Sequence, residues 1–187
     1  MNLFKSFVFF LIILFTSPVL AAELAGVTLP DQLKVDEQIL QLNGLGLRKK
    51  AFIKVYVAGL YLPEKEASAK KILSKDQSRY VVMHFVRDVG KDKVCDAWLE
   101  GLNNNTAHPS DDLKAKMKTL CDYMEDIQKD QTYVFVYRPG KGTEVLVKGQ
   151  SKGFIQGKDF ADALLACLIG PNPPGEAFKA GLLGNLD

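Results

Sequence analysis

Histidine is nearly absent from this chain, with His84 and His108 the only two in 187 residues. That scarcity removes most chemistry that relies on imidazole as a proton carrier. There is no Gly-x-Ser-x-Gly elbow, no cysteine with a histidine placed to activate it, and no dinucleotide-binding glycine fingerprint. Nucleophilic hydrolysis and nicotinamide chemistry thus find no support. The three cysteines, Cys95, Cys121 and Cys167, lack metal-ligand spacing, so no metal and no cofactor is expected. An excess of one charge is missing too. The chain carries 24 Lys and Arg against 22 Asp and Glu, and its lysines are scattered rather than striped among aromatics, which gives nucleic acid no footprint. The paired carboxylates Asp111-Asp112 and Glu125-Asp126 read as solvated helix faces, and the glycines around 139–142 have neither the spacing nor the following helix of a phosphate loop.

Long apolar runs are scarce as well, and the one present is terminal. Lys5 supplies a positive start, residues 7–15 an apolar centre, and Val19-Leu20-Ala21 a small-residue cleavage pattern. The run stops at Thr16, short of the roughly 20 residues needed to span a bilayer. Residues 1–21 are therefore expected to be a signal peptide, with 22–187 an exported domain, periplasmic or secreted, that keeps no stable membrane insertion. No linker or repeat divides 22–187, whose length suits one domain with a sizeable core. In a compartment that permits disulfides, Cys95 and Cys121 lie on successive helix-like segments that an antiparallel pairing would bring together; three buried thiols is the equal alternative.

What is present is a strand-rich first half and a helix-rich remainder. Short strands are expected at 27–30, 33–35 and 38–42, then a turn at Asn43-Gly44 and a bend or bulge before Arg48. The residues of 52–62 are β-branched, aromatic or small except for Lys54, and apolarity on both faces predicts a strand covered on both sides. A short helix at 67–73 and a second apolar strand at 79–86 follow, with His84 in that strand reading as core or solvated face rather than as a base. Helical periodicity covers 91–102, and a second stripe starts at Ser110 and runs through Leu113, Met117, Leu120, Met124 and Ile127. Strands at 132–137, 143–147 and 152–155, then helices at 159–168 and 177–183, complete an α+β order in which helices pack on an antiparallel sheet.

The densest stretch is 42–62, LNGLGLRKKAFIKVYVAGLYL. It sets one arginine among glycines and two tyrosines on an apolar ribbon, as an enclosed carboxylate or phenolate would require. This run, with HFVRDV at 84–89, DFADALLACLIG at 159–170 and GLLG at 181–184, resembles the chalcone isomerase-like family, in particular its exported bacterial branch. The resemblance covers essentially all of 22–187. It implies an open-faced β-sandwich, a large antiparallel sheet covered by helices with a ligand cleft between them.

The family divides into isomerases that close a chalcone's ring and non-catalytic relatives that bind fatty acids. In both, the resemblance implies an arginine facing the ligand's oxygens, which falls on Arg48. The hydroxyl after Phe52-Ile53-Lys54-Val55 is Tyr56, where isomerases carry threonine and fatty-acid binders tyrosine. The isomerases' further tyrosine and asparagine fall near Val86 and Lys93, neither of them a match. The reading is therefore a non-catalytic binder of a fatty acid or similar amphipathic carboxylate, held by Arg48 and Tyr56, with Tyr61 as core or rim of the same site. Its alternatives are an isomerase acting on a phenolic enone, in which Arg48 stabilises an oxyanion, and a scaffold for a protein partner. Phe52, Val55, Val57, Leu60, Val81 and Met83 are candidates for the tunnel wall. One geometric condition follows. A straight strand from Arg48 to Tyr56 would separate them by roughly 26 Å, so a turn, expected at 49–51, must bring them together.

Overall fold

The computed structural model of the protein describes residues 21–185. The expected leader, apart from Ala21, lies outside the described residues. The elements are β1 (Ala21–Leu24), β2 (Val27–Pro30), β3 (Gln32–Val35), β4 (Gln38–Lys50), β5 (Ile53–Leu62), α1 (Ala69–Ser74), β6 (Arg79–Phe85), α2 (Lys91–Asn105), α3 (Asp111–Tyr123), β7 (Thr132–Arg138), β8 (Gly142–Val147), β9 (Gln150–Ile155), α4 (Lys158–Ile169) and α5 (Glu176–Leu182). Strands β3 to β9 form one antiparallel sheet in plain chain order, and β1 pairs with β2 as a separate hairpin. Tight turns suffice for most neighbours, and the helices enter only after β5, β6 and β9. The fold is thus α+β, helices on an antiparallel sheet, as the sequence order predicts.

The apolar run in β5 has a plain cause. Side chains alternate across a strand, so Ala58, Leu60 and Leu62 enter the core under the helices while Val57 and Tyr61 enter a second core beneath β1 and β2. Both faces are covered, and both must be apolar. Within α4 nearly every side chain from Phe160 to Ile169 is buried, which is why this helix is apolar around its whole circumference. The helices α2 and α3 are joined by a Cys95–Cys121 disulfide. Cys167 stays a buried thiol, and burial pushes it up to about 12.

Three expectations need correction. No turn forms at Asn43-Gly44; β4 continues through it with a bulge between Leu42 and Gly44. The Asn43 amide donates to the carbonyls of Glu66 and Leu182 and accepts from the Glu66 amide, so a side chain suited to a turn is used to fasten three segments together. The glycines serve approach rather than bending: a Cβ on Gly44 would stand 2.0 Å from the Gly181 carbonyl, and one on Gly46 would stand 2.5 Å from that of Phe178. Helix α5 therefore lies directly on the β4 backbone. Third, α3 ends at Tyr123 although its apolar stripe runs on. Met124 and Ile127 remain buried beyond the helix, Ile127 through a bridge to Val89.

Candidate functional site

The turn required between Arg48 and Tyr56 is present as a hairpin. Strand β4 ends at Lys50, Ala51 takes a left-handed backbone with φ of 55°, and β5 returns from Ile53. The bend sits at Ala51 and Phe52, at the end of the expected segment and one residue beyond it. Arg48 and Tyr56 become register partners across the two strands, which puts their Cβ atoms about 5 Å apart on one face of the sheet. A bulge follows between Arg48 and Lys49, aiming the arginine locally as bulges do.

The guanidinium of Arg48 spends one nitrogen on the protein. Its Nη1 donates to the carbonyl oxygens of Lys49 at 2.6 Å and Pro174 at 2.5 Å. Among the described residues no carboxylate pairs with it, and its other N–H groups find no protein acceptor, although the side chain is only half-exposed. Five donors in a rigid fork matched to a carboxylate are thus largely uncommitted. Beside it, Tyr56 is half-buried, with its ring 5.3 Å from that of Phe85 and 5.8 Å from that of Phe178. Burial raises its phenol well above the ordinary value, and the positive charge of Arg48 offsets part of the rise. The hydroxyl therefore stays protonated at neutral pH and acts as a hydrogen-bond donor, not as a base.

Tyr61 is not brought to this pair. It points to the opposite face of the sheet, where it is fully buried, donates to the Pro30 carbonyl at 2.8 Å and packs edge-on against Tyr80. There it anchors the β1–β2 hairpin. The expected wall residues divide in the same way. Leu60, Val81 and Met83 enter the core under the helices and Val55 packs at its edge, whereas Val57 belongs to the other core and Phe52 is 90% exposed at the hairpin tip. His84 makes only a long 3.5 Å contact to Asp130. Lys93 is exposed on α2 and Val86 packs with the second core, so neither supplies a polar group to Arg48.

The core around Tyr56 is filled by side chains, chiefly Phe85 and Phe178. Two parts of the site had no signal in the sequence. Pro174 contributes a backbone carbonyl, which any residue carries, and Phe178 reads as one more apolar residue of a terminal helix. What the arrangement offers is a charged fork and a neutral hydroxyl donor near the turn of a hairpin, above an aromatic cluster that one short helix, α5, helps to close.

Residues 21–184 match the model of a family described as chalcone isomerase-like. No curated protein matches the chain. Among solved structures, the crystal structure of a fatty-acid binding protein from Arabidopsis thaliana superposes with a TM-score of 0.70 over 88% of this chain and 96% of that one, at 18% sequence identity. At that identity the likeness speaks for a shared fold.

Proposed function

The chain belongs to the chalcone isomerase-like family, and from that membership we propose that it is an exported, non-catalytic binder of a fatty acid or similar amphipathic carboxylate. The observation that carries this is the register pairing of Arg48 with Tyr56. Together they present a cation fork and a protonated phenol to one small anionic headgroup, with no carboxylate among the described residues competing for either. The fatty-acid binding named for the Arabidopsis protein of the same fold is in keeping with it. Export rests on the leader expected at 1–21, and the Cys95–Cys121 bond is in keeping with an oxidising compartment.

Binding in this reading opens the site. A carboxylate arriving at Arg48 is a stronger acceptor than the Pro174 carbonyl that it displaces. Pro174 lies just before α5, whose Phe178 ring packs on Tyr56. Loss of the Pro174 contact frees that approach, and an acyl tail takes the place of Phe178. Each methylene buried adds about 0.8 kcal/mol, close to fourfold in affinity, until the available length ends.

Native mass spectrometry of the purified protein, followed by calorimetric titration with fatty acids of graded length, tests the proposal. The expected result is a bound acyl carboxylate and an affinity that rises with chain length. Arg48→Ala should weaken it by roughly 10- to 100-fold, the value of one or two charge-assisted hydrogen bonds. A protein that carries no acyl chain and shows no Arg48-dependent affinity at any length would overturn it.

A further inference from the structure

The tip of the β4–β5 hairpin has a composition that the binding pair does not use. Residues 49–54 read Lys-Lys-Ala-Phe-Ile-Lys, and all six are exposed. Among the described residues Phe52 is the most exposed large apolar one at 90%, and Ile53 beside it stands at 45%. Large apolar side chains in water at a projecting point need a reason. The tip does project: β5 pairs with β6 only from Tyr56 onward, apart from one bond between the Val86 amide and the Val55 carbonyl. Beyond it the hairpin is a two-stranded ribbon, with no third strand among the described residues.

The charges around the apolar tip are all of one sign. Among the described residues, Lys49, Lys50 and Lys54 enter no ion pair, whereas the chain's acidic helices neutralise many of their lysines locally, as Lys116 does with Asp112 and Asp159 and Lys118 with Asp122. Lys49 stands opposite Lys54 across the ribbon, a pairing of like charges that costs stability unless an outside anion relieves it. Asp88, an acid at the same end of β6, has its carboxylate engaged by the Lys129 amide.

We propose that this tip docks the protein on an anionic lipid surface, with Phe52 and Ile53 entering the interface and Lys49, Lys50 and Lys54 meeting the headgroups. The dimensions agree. Apolar residues of interfacial segments sit about 5–10 Å below the headgroup level, and the two to three residues between the tip and the Arg48–Tyr56 pair span about 7–10 Å. Lysine suits this role, since its long stem lies along apolar surface while the ammonium stays in water. A nucleic acid offers no phase into which the phenyl ring and sec-butyl group could go, and a protein partner would need a recognition area larger than one ribbon tip. Docking rests on these six residues alone, so it is independent of acyl binding and is measured without a fatty acid present.

Co-sedimentation with vesicles decides it, comparing pure phosphatidylcholine with an equimolar mixture of phosphatidylcholine and phosphatidylglycerol. The expected result is binding to the mixed vesicles only, falling as salt rises. Each of Lys49→Gln, Lys50→Gln and Lys54→Gln should weaken it by about fivefold, and Phe52→Ser should weaken it at least tenfold. Because the tip touches no core, near-ultraviolet circular dichroism should stay unchanged. A positive variant completes the test: Phe52→Trp, read against the parent's single Trp98, should shift its emission to the blue on adding mixed vesicles. No sedimentation with anionic vesicles, sedimentation untouched by the tip variants, or Trp emission unmoved by lipid would each overturn the proposal. Retained acyl binding in those cases would show that the failure lies with docking alone.

Discussion

Two arginines face the helices from the same side of this sheet and lead opposite lives. Arg48 lies beside Tyr56 and Phe85 at one end; Arg79 opens β6 six residues away from Phe85, about 20 Å along the strand. Arg79 is buried at 2% exposure. It pairs with Asp162 at 2.7 Å and donates to the carbonyls of Ile72, Leu73 and Lys75 at the end of α1, with its guanidinium over the Tyr137 ring. The carbonyls at that helix end lack intrahelical donors and carry partial negative charge, so a cation is well placed there. Only its Nε finds no protein acceptor, beside a cavity of about 20 Å³. Among the described residues Arg48 has no carboxylate partner, and it spends one nitrogen. A structural arginine has its donors consumed by the fold, whereas a binding arginine keeps them.

The largest effect that tests this contrast is on stability. Arg79→Met should cost about 3 kcal/mol, because it leaves the Ile72 and Lys75 carbonyls without this donor, while Lys158 still holds Asp162 and the Leu73 carbonyl. Arg48→Ala should cost less than about 1 kcal/mol while weakening acyl binding by roughly 10- to 100-fold. Urea midpoints measure both. Equal losses would erase the distinction between the two sites.

Reduction of Cys95–Cys121 should have an effect of similar size. The bridge closes a loop with a sequence separation of 26, for which chain entropy gives about 3.5 kcal/mol. It clamps α2 to α3 and touches nothing at the hairpin. Urea titration of the Cys95→Ser, Cys121→Ser double variant should show that loss while Arg48-dependent binding persists; binding lost in a still-folded variant would mean that the helix pair shapes the site.

Gly46→Ala should have a smaller effect on stability, about 1–3 kcal/mol from forced overpacking. Its Cβ would meet the Phe178 carbonyl and ring most closely and the Leu182 side chain less so, so the change loosens α5 chiefly at Phe178. If a ligand must displace Phe178, a weaker closed state should raise acyl affinity as stability drops, because less is lost on opening. Affinity that falls along with stability would refute the displacement mechanism.

Much of the fold was legible because its signals are local. Alternation and apolar runs mark β5 and β6, the Ser110 cap with Asp111 and Asp112 marks the start of α3, and the family motif points to Arg48 and Tyr56. What stayed hidden depends on partners distant in sequence. Asn43-Gly44 carries a turn signature, yet Leu182, 139 residues away, takes the asparagine's hydrogen bond. Tyr61 and Tyr56 look alike on one ribbon, and only their odd separation of five positions along the strand puts them on opposite faces of the sheet. Phe52 has the composition of core, and the turn beneath it turns it outward.

The finest test of the two sites is the titration of their phenols. Burial and the hydrogen bond to Asp76 push Tyr137 up to about 12, with the nearby Arg79 charge pulling the other way. Tyr133 is likewise pushed up to about 12 by burial. Their folded values lie above the ordinary 10.0, so the stability that they confer is fully present below pH 10 and is lost as pH rises toward 12; for Cys167 the loss begins near its ordinary 9.0. Urea midpoints should therefore decline from about pH 9 to 12. The phenols at the two ends of the sheet should respond in opposite directions, Tyr137 inside that window and Tyr56 at its upper edge and beyond. Asp76→Asn removes a negative charge and should bring Tyr137 down, whereas Arg48→Ala removes a positive charge and should raise Tyr56 further. Ultraviolet difference titration, with Tyr56→Phe and Tyr137→Phe assigning the signals, reads both shifts. Shifts of the same sign would mean that Arg48 does not set the field at Tyr56, and the pair would lose its standing as one headgroup site.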